Sequence, residues 1–460
     1  MVIAKPGEHV PRRRRGCAIG ADCIYHARFS APPPTLSSSP VLHLDLVLLW
    51  ATYTTLGFCT STPTPHNISQ STSTMTPEFE ARLKKAVEDG IIPNAVVLAK
   101  DKSGNPPIVH PRPAQTASLT IPGKINYSYA AGPTSLQPNA PPITPTSLLT
   151  MASMTKLMTT ICLLLLVQEG TLALDEDITL YVPTLAAQPV LAGFDDAGQP
   201  ILAARTQPIT LRHLLTHSAG TGYLFLDERL NRWAKATGRR LPVPLKHSPV
   251  SGGSSVDTRF NYPLLFEPGA GWVYGSGLDW AGRLIEKLTG AFFDDFLYEK
   301  VLAPVGVPRG GMTFHPGRFG QPAADVLAGM SVRDGETGKV GFMETEMDND
   351  NEAFGGEGLF GGMGEYIKVL HSLLMDDGKI LQPETARLLF EPQLEPAEKA
   401  ALNAAMSDPD WAVGHIPTGV EYDWSVGGLL TTHDVGHRKK GFVQWGGAFN
   451  LSWVSAAGSF

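Results

Sequence analysis

The chain has 460 residues, 43% of them hydrophobic and 18% charged, with a formal net charge of −7. That is the composition of a globular protein long enough for more than one domain, and it excludes a disordered or fibrous chain. It also excludes a nucleic-acid-binding surface, which needs Lys and Arg clustered on a basic domain.

Residues 1–75 read as a disordered leader and linker. They carry six basic and three acidic residues, so the negative balance belongs to the remainder. Residues 41–58 are mostly apolar but contain His43 and Asp45. A secretory signal places its apolar core nearer the start, and a charge disfavours a membrane span. The expected location is therefore the cytoplasm, with secretion or membrane anchoring through residues 41–58 as the alternative. The Ser/Thr/Pro-rich stretch 60–76 is a linker, and its sequon Asn67-Ile68-Ser69 matters only for a secreted chain. Cys17, Cys23 and Cys59 lie in the leader and Cys162 in an apolar run. With no CxxC pair, neither zinc nor a disulfide framework is expected.

The folded part spans 76–460. Phe79, Leu83, Ala86 and Val87 have helical spacing. Residues 95–99 read as a buried strand, followed by a turn at Gly104-Asn105-Pro106-Pro107, and 125–131 as a second strand. After a Pro-rich loop at 133–145, helices are expected at 153–169, 211–215, 278–288 and 366–375, the last three stopping near His217, Gly290 and Gly378. Strands return at 424–430 and 441–453. The layout is a split α/β (α+β) unit. Its two early strands must pair with late ones around a mainly helical insertion at roughly 150–420.

Three constellations carry chemistry. Ser153-Met154-Thr155-Lys156 opens a strongly apolar helix. Residues three apart share a helix face, so the Ser153 hydroxyl and the Lys156 amine fall within hydrogen-bond reach, and a hydroxyl needs such a base to become a nucleophile. Ser-x-x-Lys also occurs by chance, so it is weak alone. Tyr274-Gly275-Ser276 follows the turn Glu267-Pro268-Gly269. Its tyrosine is a packing residue or, beside a cation such as Lys156, a general base. Trp445-Gly446-Gly447-Ala448 lies on a late strand. Its glycines mark a bulge, or a close approach that brings an N–H to an oxyanion.

In order and separation these three motifs resemble the class C β-lactamase, penicillin-binding and serine-esterase family, and within it fungal transesterases of the lovastatin acyltransferase kind and related esterases. Gln168-Glu169-Gly170-Thr171-Leu172-Ala173-Leu174-Asp175, His213-Leu214-Leu215-Thr216-His217-Ser218-Ala219-Gly220 and Gly355-Gly356-Glu357-Gly358-Leu359 agree with it. The resemblance covers roughly 76–455. It implies a β-lactamase/transpeptidase-like fold, an antiparallel sheet with flanking helices and a helical subdomain. It further implies Ser153 as nucleophile, Lys156 and Tyr274 sharing acid/base work, and the N–H groups of Ser153 and Ala448 as oxyanion hole. Ser276, Trp445, Gly446 and Gly447 become substrate-binding residues.

Two departures follow. Ser276 replaces the Asn of the lactamase Tyr-x-Asn motif, and Trp445 the Lys that recognises a substrate carboxylate. An indole offers a flat apolar face and one donor, so ester or thioester substrates are expected ahead of β-lactams. Family members also continue beyond the Trp-Gly-Gly strand with a further strand and a helix, both expected to be missing here. That would leave a sheet edge to be filled by the leader or a partner.

The expected activity is acyl transfer from a small-molecule ester or thioester, a carrier-protein thioester included, to an alcohol acceptor in secondary metabolism. The alternatives are hydrolysis by the same site and an inactive, truncated paralogue that binds ligand. No metal, organic cofactor or nucleic acid is implied. Gly356 to Gly361 fits G-x-G-x-x-G but follows the acidic run 344–352 rather than a buried strand, so it reads as a Gly-rich loop. G-x-S-x-G and H-E-x-x-H do not occur, and His213 and His217 read as structural.

Overall fold

The computed structural model describes residues 46–52, 77–102, 125–239, 255–319, 327–334, 337–338, 340–343, 352–412, 416–436, 438–448 and 451–455. The turn at 104–107, the linker with its sequon, the three leader cysteines and most of the acidic run lie outside them.

The elements that position the site are strands β1 (Leu46–Thr52), β2 (Ala95–Asp101), β3 (Asn126–Ala131), β4 (Tyr422–Trp424), β5 (Leu429–Thr431), β6 (Val443–Gly447) and β7 (Leu451–Ser455). The helices are α1 (Pro77–Glu88), α2 (Thr155–Gln168), α3 (Leu211–Leu215), α4 (Gly277–Thr289) and α5 (Met363–Met375). The seven strands form one antiparallel sheet in the order β4-β5-β6-β7-β1-β2-β3.

Alternation along β2 builds the layers. Successive side chains of a strand point to opposite faces. Val96 and Leu98 join the main core with the helical region, while Ala95, Val97 and Ala99 pack with Leu83 of α1 and with Tyr127 and Tyr129. Helix α2 is buried nearly all round, from Thr155 to Leu166, which is why its sequence shows no polar stripe.

The antiparallel sheet and helical region are as expected, with four differences. Each late stretch read as one strand is a hairpin. Ser425 Oγ accepts from the N–H groups of Gly427 and Gly428 and closes the turn between β4 and β5. β6 turns into β7 with Trp445 opposite Trp453 and Gly447 opposite Leu451, so a strand does follow Trp445-Gly446-Gly447. Helix α5 starts three residues earlier than expected, at Met363, and after Met375 it is capped by Asp376 in the left-handed conformation at φ +51 rather than by Gly378. Finally, the early strands do not pair directly with the late ones. Leu46–Thr52, inside the stretch read as leader, lies between them, with Leu48 opposite both Val454 and Ala99. Among the described residues, no helix is long and apolar enough to cross a membrane.

Candidate active site

Ser153 and Lys156 stand where the short strand Leu149–Thr150 runs into α2. Ser153 lies in a single 3-10 turn, Ala152–Met154, one step before the α-helix rather than within it. Ala152 holds φ +45, a left-handed conformation that costs a non-glycine residue roughly 1–2 kcal/mol. The end of β6 presses on this turn. A Cβ at Gly447 would stand 2.3 Å from the Met151 carbonyl oxygen, so only glycine brings the strand this close to the turn.

A lysine inside an apolar helix is costly unless its protons are used. Lys156 is 6% exposed, and its Nζ reaches Ser153 Oγ at 3.2 Å, Tyr223 Oη at 3.1 Å and the Gly356 carbonyl at 2.7 Å. It also lies over the Tyr274 ring, 4.9 Å from the centroid. Tyr274 Oη accepts from Trp445 Nε1 at 3.0 Å, which ties the second motif to the third. Ser153, Lys156, Tyr274 and Trp445 thus lie together in the structure. Ser276 is fully buried at the N-terminus of α4, its N–H donating to the Thr221 carbonyl. Gly446 is buried within β6.

Four participants were not assigned to the site from the sequence, where His217 reads as structural and Gly356 as part of a Gly-rich loop. Tyr223 and Gly356 hold Lys156 from either side. Asp279, on α4, accepts from Tyr223 Oη at 3.0 Å and from the Gly356 N–H at 2.8 Å. His217 is fully buried in a cavity lined also by Ser153, Lys156, Trp424 and Trp445. Its Nδ1 accepts from the Gly275 N–H at 3.3 Å, so Nε2 carries the proton. Burial first, and then the Lys156 charge, holds His217 well below the usual histidine range, so the ring is neutral. His213 does serve a structural role, its Nδ1 accepting from Thr210 N–H in a capping box that opens α3.

Burial, and next the nearby Glu357, pushes the Asp279 carboxyl up to about 7 against the opposing pull of Lys156. Burial and then Asp279 push the Tyr223 phenol well above its ordinary value. The phenol therefore stays protonated and donates to Asp279. Tyr223 also stacks on Phe225, ring centroids 5.1 Å apart at 18°. Phe225 is 50% exposed and gives the site an apolar outer edge.

The site thus gathers a half-buried hydroxyl, a buried amine and two phenols beside apolar rings, the kinds of group that acyl transfer through a serine requires. Residues 110–457 match the beta-lactamase family, to which this chain belongs. It is 35% identical over 389 residues to monacolin J acid methylbutanoyltransferase of Aspergillus terreus, covering 82% of this chain and 86% of that one. With the lovastatin esterase of Penicillium rubens the identity is 34% over 384 residues, covering 82% and 88%. The fold is similar to that of unliganded simvastatin synthase from Aspergillus terreus, with TM-score 0.68, 33% identity and coverage of 82% and 89%. The chain is thus an enzyme whose relatives are named as acyltransferases and esterases.

Proposed function

We propose that the chain is an acyltransferase working through a Ser153 acyl-enzyme. The observation that carries this reading is the 3.2 Å contact between Ser153 Oγ and the buried Lys156 Nζ. In the first half-reaction Ser153 Oγ attacks the carbonyl carbon of an ester or thioester and passes its proton to Lys156. Negative charge on the carbonyl oxygen is held by the backbone N–H groups of Ser153 and Ala448. The leaving oxygen or sulfur departs as an alcohol or thiol, taking a proton from the Lys156–Tyr274 pair. In the second, an alcohol loses its proton to the same pair and attacks the acyl carbon, and the bond to Ser153 Oγ breaks as that oxygen takes the proton back from the pair.

The walls support a neutral substrate. Trp445, Trp424 and Phe225 offer apolar rings where a carboxylate-binding lysine would recognise a charged one. The similarity to a methylbutanoyltransferase favours a small acyl donor, free or on a carrier-protein thioester, and a hydroxyl acceptor of secondary metabolism. We retain the cytoplasm as the expected location because Asp45 interrupts the apolar stretch at 41–58.

Hydrolysis is the second reading, favoured by the comparable identity to an esterase. Product analysis decides between them. With a short acyl thioester and a hydroxyl acceptor, transfer yields the new ester in excess over free acid. Free acid alone would assign the esterase reading, and ligand binding without acylation would assign a binding role.

A further inference from the structure

The acyl-transfer scheme leaves a buried carboxylate beside Lys156 without a task. Asp279, in the first turn of α4, has no solvent exposure. A carboxylate so placed is expensive unless both oxygens are satisfied. Oδ2 accepts from Tyr223 Oη at 3.0 Å and Oδ1 from the Gly356 N–H at 2.8 Å. These are the two residues that flank Lys156. The Gly356 backbone is pressed against the carboxylate so closely that a Cβ there would stand 2.3 Å from Oδ2.

Proton directions follow from the donor and acceptor capacities. The Gly356 carbonyl can only accept, so it takes one Lys156 N–H. Tyr223 has a single proton. While that proton goes to Asp279, the Tyr223 oxygen can only accept, and it takes a second N–H. The remaining position on the tetrahedral nitrogen then faces Ser153 Oγ at 3.2 Å. In the neutral amine that position is the lone pair. Without Asp279 the Tyr223 O–H is able to turn and cap it.

We propose that Asp279 is a positioning residue for acylation, which acts through Tyr223 and Gly356 to keep the Lys156 lone pair aimed at Ser153. This rests on the proposed acyl-enzyme reading. The groups facing the carboxylate are Lys156 of α2, Tyr223, Tyr262 and Glu357, the last paired with Arg259 at 2.8 Å. Protonation at about 7 would make Asp279 the donor to Tyr223 and send the phenol proton to Lys156. The ionised form is the competent one, so acylation rises with pH through neutrality.

The test measures the p-nitrophenyl acetate burst and the rate of fluorophosphonate labelling by intact mass, across the pH range around neutrality. The proteins are the full chain, Asp279→Asn, Tyr223→Phe, the double variant and Ser153→Ala. Asp279→Asn is expected to acylate about 10²-fold more slowly, with KM little changed and labelling still complete at long times. The pH rise near neutrality should flatten. Tyr223→Phe should slow acylation comparably, and the double variant no further than the slower single one, because both act on one relay. Tyr223→Phe leaves the Gly356 contact of Asp279 in place, so it tests the relay should Asp279→Asn fail to fold. Parental rate and pH profile in folded Asp279→Asn, or in Tyr223→Phe alone, would overturn the proposal while leaving the nucleophile standing. Labelling of Ser153→Ala at the parental rate would overturn the acyl-enzyme reading and the proposal with it.

Discussion

Replacing Trp445 with Phe isolates the one contact by which the third motif reaches the proton-transfer pair. The indole Nε1 donates to Tyr274 Oη at 3.0 Å, and its ring packs 4.9 Å from Tyr274 and 4.8 Å from Trp424 between centroids. Phenylalanine keeps an apolar ring in place but has no donor. In the resting site a neutral hydrogen bond contributes about 1 kcal/mol. Once the Tyr274 oxygen gains negative charge during proton transfer, the bond becomes charge-assisted and roughly twice as strong or more. Only the difference, about 1–2 kcal/mol, slows the chemical step, which is about 5- to 30-fold in acylation rate. The smaller ring also costs on the order of 1–2 kcal/mol of stability. Burst kinetics with a p-nitrophenyl ester measures the first quantity and thermal unfolding the second. A folded Trp445→Phe enzyme that acylates at the parental rate would refute the reasoning and reduce Trp445 to packing.

Two further outcomes are expected. Phe225→Ser removes the exposed ring stacked on Tyr223. It should raise KM for apolar acyl donors several-fold while kcat changes little, measured by steady-state kinetics over a series of acyl chain lengths. Deleting residues 1–52 removes β1 and leaves β7 and β2 as unpaired edges, whereas deleting 1–40 keeps the strand. The longer deletion should lower the unfolding midpoint and promote aggregation. Equal midpoints for the two would show that β1 contributes nothing to the sheet.

The pair Ser153 and Lys156 was legible because a helix repeats every 3.6 residues and the pair opens an otherwise apolar one. Tyr274 and Trp445 became legible through the order of motifs, since neither spacing alone separates chemistry from packing. Tyr223, Gly356 and Asp279 were not. Gly356 is 200 residues from Lys156 and Asp279 is 56 from Tyr223, so only the folded chain brings them together. One local clue existed, because Asp279 stands among Leu278, Trp280 and Ala281 on the buried side of α4. An acid among buried apolar neighbours implies a partner. The late strands were read through their turns although Gly427-Gly428 marks one of them. The apolar run holding Leu46–Thr52 lacks periodicity, and such a run reads equally as a buried strand or a fragment of a span.

The most direct measurement is intact-mass spectrometry of the chain and of Ser153→Ala after brief exposure to a fluorophosphonate and, separately, to a short acyl thioester. The account expects a single adduct of each reagent on the parent and none on the variant. A folded parent that takes no adduct, or a variant that takes the same one, would contradict the assignment of Ser153 as the acylated residue.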